Sequence, residues 1–357
     1  MTKPADSPNM PGIAVAHATE HRITELPILV IFPHNRCNCR CVMCDIWRIR
    51  QTREITQRDL EPHVAGFREL NVKWIVFSGG EPLMHSDLGS LCRICRAEGI
   101  RSTLLTAGLL LDKYAEMIVE SIDDVIVSID GPPEIHDRIR GVPNAYRRLQ
   151  RGIDRLRELR PQIPISGRCT IQKQNHCELR KIVRTAHELN LDRLSFLAAD
   201  ATSEAFNRPN GWTRERRTVV ALDEAETDLL DVEIETLISE CGKEIESGFI
   251  VESPSKLRRI ALQFRMQLGQ VQATAPRCNA PWVSAVVESD GAVRPCFFHR
   301  PIGNIHERPF ADILNSHEAL EFRRHLNIST NAICRNCVCS LFVETQVTVP
   351  SNSSKRC

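Results

Sequence analysis

Residues 27–44 read Pro-Ile-Leu-Val-Ile-Phe-Pro-His-Asn-Arg-Cys-Asn-Cys-Arg-Cys-Val-Met-Cys. The first six make an apolar, largely β-branched run with the length of one buried strand, and Pro33-His34-Asn35-Arg36 closes it with a loop. Cys37, Cys41 and Cys44 follow in the order Cys-x3-Cys-x2-Cys. A loop this tight can turn three thiolates toward three corners of one iron-sulfur cluster, whereas a cubane has four irons that four thiolates would normally fill. One iron is left open. A structural zinc is the competing reading: it wants four ligands, often in paired Cys-x2-Cys units, and Cys39 offers a fourth.

Working outward, Val72 to Phe77 is a second apolar strand, followed by Ser78-Gly79-Gly80-Glu81-Pro82. Glycines let a backbone come close to a ligand, and Glu81 offers a carboxylate to an ammonium group. The cysteine loop and this turn together resemble the radical S-adenosylmethionine superfamily. The resemblance implies a 4Fe-4S cluster on Cys37, Cys41 and Cys44, with the amino and carboxylate groups of S-adenosylmethionine on the open iron and the methionine amine received at Gly79, Gly80, Glu81 and Pro82. It also places Ser128, in Val127-Ser128-Ile129-Asp130-Gly131, on the cofactor ribose or carboxylate. Reductive cleavage would then give methionine and a 5'-deoxyadenosyl radical that takes hydrogen from substrate. One departure stands out: members of the superfamily often have an aromatic residue before the third cysteine, where this chain has Met43, with Trp47 three residues beyond Cys44. Cys39 is taken as a bystander.

From Leu26 to Asp200 short apolar runs alternate with amphipathic stretches, the pattern of parallel βαβ units. The spacing predicts strands at 27–32, 72–77, 100–105, 124–129, 163–170 and 193–198, with helices at 57–70, 87–98, 112–121, 144–159 and 177–189. The fold class is α/β, and the resemblance implies a partial (β/α)6 TIM-type barrel whose site lies in loops at the C-terminal strand ends. Thr106 and Arg168 fall near such ends, and His136 to Gly141 reads mainly as a structural loop and helix lead-in. Residues 201–222 lose periodicity and read as a linker or a mobile loop over the barrel mouth; Asp223 to Glu246 reads as a long acidic helix and Ser255 to Gln267 as another.

Cysteines return at Cys278, Cys296, Cys334, Cys337 and Cys339. Trp282 to Glu288 and Ala292 to Phe298 read as a β-hairpin around a two-residue Asp290-Gly291 turn, which sets Ser289 opposite Ala292 and Cys296 opposite Ala285. Cys278, Gly291-x4-Cys296 and Cys334-x2-Cys337 resemble the Twitch and SPASM auxiliary-cluster domains. That implies a small cysteine-rich α+β domain with one auxiliary 4Fe-4S cluster on Cys278, Cys296, Cys334 and Cys337, with Cys339 competing for the place of Cys334. Cys92, Cys95, Cys169, Cys177 and Cys241 read as ordinary packing thiols. The expected division is an extension at 1–25, a radical core at 26–205, a linker and helical segment at 206–275, the auxiliary-cluster domain at 276–342 and a polar tail at 343–357.

Composition narrows the partners. The 357 residues carry 46 Lys and Arg against 45 Asp and Glu, a formal net charge of +1, so no bulk attraction to nucleic acid or membrane is implied. Fifteen cysteines form an odd set that cannot pair completely and favour metal binding. The first 22 residues lack a signal-peptide core, and the longest apolar run, Ile28 to Phe32, is far too short to span a bilayer; a cytoplasmic protein is expected. The functional expectation is hydrogen abstraction from a small molecule such as a sugar or cyclitol, with electrons from a flavodoxin or ferredoxin. Peptide maturation is the alternative, disfavoured because only some 25 residues precede the first strand. A non-enzymatic iron-sulfur electron carrier is the second alternative, against which the Gly-Gly-Glu-Pro turn argues.

Overall fold

The computed structural model describes residues 21–344. The expected tail at 343–357 and the extension at 1–25 lie largely outside these residues. Six strands, β1 (Ile28–Ile31), β2 (Trp74–Phe77), β3 (Arg101–Thr106), β4 (Asp124–Ser128), β5 (Ile165–Ile171) and β6 (Arg193–Ala198), pair in parallel in chain order. When consecutive parallel strands are neighbours, right-handed crossovers put every connecting helix on one side of the sheet. That outer side carries α1 (Gln57–Leu60), α2 (Val64–Glu69), α3 (Leu88–Ala97), α4 (Ala115–Ser121), α5 (Pro133–Arg140), α6 (Ala145–Leu159) and α7 (Leu179–Glu188). Alternation of side chains does the rest: Leu29, Ile75, Leu104, Val125, Val127 and Cys169 join the core, while Val76, Ile126, Ser128 and Ser195 on the opposite face stay half-buried and Arg168 is exposed. This second face is the interior of an unclosed barrel.

Both edges of the barrel sheet are used. At β6, Ile250 forms a parallel bridge with Leu194, brought there by α8 (Arg214–Arg217), α9 (Glu224–Glu240) and α10 (Gly242–Glu246), and followed by α11 (Pro254–Gln267). At β1, the chain returns after α12 (Ala280–Val283) and lays β7 (Ser284–Val287) parallel to it, Ile28 opposite Ser284 and Ile31 opposite Val287. β8 (Ala292–Arg294) and β9 (Gly303–Asn304) extend this to a nine-stranded sheet ordered β6-β5-β4-β3-β2-β1-β7-β8-β9. The last helices are α13 (Phe310–Leu314), α14 (His317–His325) and α15 (Ala332–Arg335). Phe310 meets Phe67 of α2 edge-to-face at 5.3 Å, so the C-terminal part packs on the barrel's outer layer.

Three local expectations are corrected. The helix expected over 57–70 is broken at Pro62, which lacks the N–H that a continuous helix needs, and a 3-10 turn over Glu61–His63 separates α1 from α2. The acidic helix over 223–246 divides at Cys241, whose φ of −107° and ψ of 30° leave the helical region. The hairpin is one residue out of the expected register: Val287 faces Val293, and the Glu288 amide donates to the Ala292 carbonyl at 2.8 Å. Gly291, at φ +81°, is the third residue of a three-residue loop rather than the second of two. β8 also stops at Arg294, so Cys296 belongs to no strand and sits opposite no Ala285. Among the described residues no helix is long and apolar enough to cross a membrane.

Candidate active site

The loop after β1 is held from two sides. On one, it lies across the end of α5: the Arg40 amide donates to the Arg140 carbonyl at 2.8 Å and the Val42 amide to the Ile139 carbonyl at 3.1 Å. These carbonyls are free because they end a helix, and Gly141 stops that helix in the left-handed region at φ +64°, where a Cβ would come within 2.7 Å of the Arg40 carbonyl oxygen. The residues from His136 to Gly141 are therefore a helix that docks the cysteine loop. Read from the sequence as mainly a loop and helix lead-in, the stretch is itself helical; Pro133 at its start and Gly141 at its end are the signals that could have marked it.

Within the loop, Cys39 is 1 % exposed and Cys41 8 %, and the neighbouring Cys37 and Cys41, with burial, push the Cys39 thiol well up. Arg140, paired with the buried Asp130 at 2.6 Å, reaches the Cys41 sulfur at 3.6 Å. The Cys39 contact and Arg140 together pull Cys41 down to about 7 despite its burial. Burial and the neighbouring Cys41 push Cys44 up to about 12, opposed by the Ile46 amide, which donates to its sulfur at 3.5 Å. Cys39, taken as a bystander, is thus turned inward among the three motif thiols. Asp130 and Arg140 lie in stretches the sequence reading named, Val127–Gly131 and His136–Gly141, but their pairing was not legible, since a buried ion pair forms only once β4 and α5 are packed.

The Gly79 to Pro82 turn packs against this loop. A Cβ on Gly80 would lie 1.9 Å from the Arg36 carbonyl oxygen, and one on Gly79, at φ +101°, 2.8 Å from the Phe32 side chain. The glycines are thus demanded first by the approach of two protein segments. Glu81 differs from expectation. Its carboxylate is fully buried and accepts from Thr106 Oγ1 at 2.8 Å, the Ala107 amide at 2.8 Å and the Leu83 amide at 3.1 Å, tying this turn to the end of β3. Burial raises its pKa and these donors oppose the rise. An enclosed carboxylate with three donors does not reach out to an ammonium group; the backbone of the turn is what it positions. Pro82 is buried at the start of a 3-10 turn. Ser128, at the end of β4, pairs in register with Arg168 on the interior face and makes no side-chain hydrogen bond among the described residues.

The 201–222 segment is ordered against the same loop. Arg208, 3 % exposed, donates to the Asp200 carbonyl at 2.7 Å and to the Met43 carbonyl, and lies 3.7 Å from the Trp212 ring centroid. Trp212 Nε1 donates to Asp45 at 2.5 Å, and Arg216 donates to the Val42 carbonyl at 2.6 Å. Met43 packs beside Ala199, Trp212 and Val220. Trp47 is half-buried beneath the Arg48 guanidinium at 4.8 Å.

Of the C-terminal thiols, Cys278 precedes α12 and the other four follow β8. Burial pushes Cys334 up to about 12, with Cys296 and Cys278 adding repulsion. Cys337 is raised by burial and by Cys339, Cys278 and Cys296. Cys339 rises to about 11 through burial, against the pull of Arg168, and it also feels Asp200, Cys278 and Cys296. Cys278 and Cys296 thus act electrostatically on Cys334, Cys337 and Cys339, and Cys339 also feels Arg168 of β5 and Asp200 just past β6. The His299 amide donates to the Cys296 carbonyl at 3.3 Å, and His299 Nε2 lies 3.4 Å from Cys334 Sγ. Phe297, next to Cys296, meets Phe32 at 5.6 Å and Phe206 at 4.8 Å, bridging the two thiol groups. Cys92, Cys95 and Cys169 are buried in the core, whereas Cys177 is exposed and Cys241 half-buried.

Both donor sets suit iron-sulfur chemistry. Crowded thiols raise one another's pKa, and a metal core is the cation that reverses this; sulfur donors with amide contacts are the usual cradle of such clusters. Among the described residues no three His, Cys, Asp or Glu side chains close on a single metal ion.

Comparison with known proteins agrees. Residues 31–186 match the Radical SAM superfamily model, and residues 278–338 match SPASM, an iron-sulfur cluster-binding domain. The chain is a radical S-adenosylmethionine enzyme with a C-terminal SPASM domain, and with this membership come a 4Fe-4S cluster with S-adenosylmethionine and an auxiliary iron-sulfur cluster. It is 27 % identical over 322 residues to Fe-coproporphyrin III synthase of Methanosarcina barkeri (strain Fusaro / DSM 804), covering 86 % of this chain and 77 % of that protein. It is 28 % identical over 209 residues to PqqA peptide cyclase of Bradyrhizobium diazoefficiens, covering 56 % of this chain and 52 % of that protein. In fold it is similar to Streptococcus suis SuiB bound to the precursor peptide SuiA, with a TM-score of 0.62 at 16 % identity over 90 % of this chain and 72 % of that one. It is likewise similar to anSMEcpe with bound AdoMet, with a TM-score of 0.63 at 21 % identity over 85 % and 84 %.

Proposed function

We propose that Cys37, Cys41 and Cys44 hold the radical-generating cluster, that Cys278, Cys296, Cys334 and Cys337 hold the auxiliary one, and that the substrate is a small molecule bearing carboxylates. The packing of Phe297, next to Cys296, on Phe32 before the cysteine loop and on Phe206, whose carbonyl accepts the Asp45 amide, carries this reading. Bound at the first site, the cluster supplies the electron that splits the sulfonium of S-adenosylmethionine to the 5'-deoxyadenosyl radical that takes hydrogen from substrate. The protein's part is geometry. Arg140 steadies Cys41, Glu81 fixes the turn that faces the cofactor, and Arg208 and Trp212 clamp the loop so that water is kept from its inner side. Ser128 and Arg168 face the interior together and offer a hydroxyl and a guanidinium to carboxylates there.

Among substrate classes, the tetrapyrrole in the name of the Methanosarcina relative supports a polycarboxylate small molecule over a sugar or cyclitol. The PqqA cyclase likeness favours a second reading, a peptide substrate. The chain with Cys37, Cys41 and Cys44 all replaced by alanine should lose one cluster's worth of iron and all reductive cleavage after anaerobic reconstitution; retained cleavage would refute the first assignment. With wild-type protein, 5'-deoxyadenosine formation should rise on addition of an iron porphyrin carboxylate. A rise with precursor-type peptides alone would favour the second reading.

A further inference from the structure

Arg140 places a cation in the interior, 7 % exposed at the last turn of α5, and its partner Asp130, two residues past β4, is fully buried. A buried ion pair costs more desolvation than two apolar side chains of the same volume, so stability alone is a weak reason for it. Docking of the cysteine loop is no reason either, since the Arg40 and Val42 amides bond to the backbone carbonyls of Arg140 and Ile139 and not to the guanidinium. The pair is also not closed on itself. One guanidinium nitrogen meets Asp130 at 2.6 Å, while Nη1 donates to the Cys41 sulfur at 3.6 Å. The Arg140 Nε is enclosed and has no acceptor among the described residues. Asp130 in turn accepts the Thr170 amide through Oδ1 at 3.4 Å. Arg140 thus divides its donors between a carboxylate and a thiol and keeps one N–H unspent.

We propose that the Arg140–Asp130 pair sets the reduction potential of the cluster held at Cys37, Cys41 and Cys44, with Arg140 raising it and Asp130 limiting the rise. The inference rests on the assignment of the radical-generating cluster to those thiols. On reduction, one electron passes to the cluster from a one-electron carrier of the flavodoxin or ferredoxin class, which is oxidised by one, and no bond is made or broken. The added negative charge falls on iron and sulfur, so a guanidinium bonded to a ligand sulfur favours the reduced cluster; hydrogen bonds to sulfur are among the levers that set such potentials. Asp130, 2.6 Å from the same guanidinium, opposes it. Both effects stay strong because neither group reaches bulk water. Arg140 is therefore a positioning residue, acting through Cys41 and not on substrate.

The test is an electron paramagnetic resonance titration against applied potential on the anaerobically reconstituted full chain, following the cluster signal that changes when S-adenosylmethionine is added. Arg140→Gln should disfavour the reduced form about tenfold, a fall of about 59 mV for a one-electron couple. Arg140→Lys, which keeps the cation, should fall less. Asp130→Asn, which leaves Arg140 uncompensated, should favour the reduced form by a similar factor. The auxiliary cluster is the internal control, its potential unchanged in all three. Opposite shifts are what a merely structural pair would not give, since loosening the loop from either partner would move both variants the same way. If Arg140→Gln fails to load iron, Arg140→Lys and Asp130→Asn decide by the same signs. Equal potentials in the variants that load iron, or shifts of one sign for Arg140→Lys and Asp130→Asn, would overturn the proposal. Cys41→Ala separates it from the assignment beneath: that variant should lose the signal that responds to S-adenosylmethionine, and a surviving signal would overturn the assignment instead.

Discussion

Gly80 has no room for any side chain, since the atom in the way is the Arg36 carbonyl oxygen 1.9 Å from an added Cβ. A backbone cannot step aside as a flexible side chain can. Gly80→Ala should therefore cost about 1–3 kcal/mol or more of stability and strip iron from the first site while sparing the C-terminal one. Gly242→Ala, where nothing lies within 4 Å, should be neutral or slightly stabilising; thermal unfolding and iron analysis check both. His34 offers a pH test. It is fully buried, donates from Nε2 to the Glu81 carbonyl at 2.5 Å and accepts the Arg36 amide at Nδ1 at 2.8 Å. Burial lowers its pKa from 6.5 to about 4. The unfolded imidazole takes a proton first, so the contribution of neutral His34 is complete above about 6.5 and is lost as pH falls toward 4. His34→Gln should flatten stability against pH in that window by up to one proton's worth, about 1.4 kcal/mol per unit, in urea titrations of iron-free protein.

At the scale of elements, the cysteine loop has no regular structure of its own and borrows rigidity from α5 and from the 201–222 segment. The aperiodic stretch read as a linker or mobile loop is a clamp built from Arg208, Trp212 and Arg216. Its two successive left-handed residues, Phe206 and Asn207, at φ 61° and 62°, bring the Phe206 carbonyl to the Asp45 amide at 3.2 Å. Trp212→Phe keeps the ring and removes the hydrogen bond to the buried Asp45. It should raise 5'-deoxyadenosine formation in the absence of substrate while leaving iron content unchanged, because a loosened clamp admits other hydrogen sources. Unaltered background cleavage would show that the clamp does not guard the site.

At the scale of the whole molecule, the C-terminal part completes the barrel sheet instead of hanging beside it. β7 covers the edge of β1, and Ala285, Val287 and Val293 join the main core. A chain ended after Ala275 would expose the Ile28–Ile31 edge, and open apolar strand edges recruit other chains. Such a truncation should aggregate, as light scattering would show; a soluble monomer with native-like circular dichroism would contradict this.

Local sequence was enough for the six barrel strands, because strand periodicity is written within a few residues of the chain. The motif at 37–44 and the Gly-Gly-Glu-Pro turn marked the family by the same short-range logic. The Asp130–Arg140 pair under Cys41, the inward turn of Cys39, the enclosure of Glu81 and the pairing of β7 with β1 were not legible. Each depends on segments tens to hundreds of residues apart meeting in space, with desolvation and steric fit selecting the partner, and those terms exist only after the chain has folded.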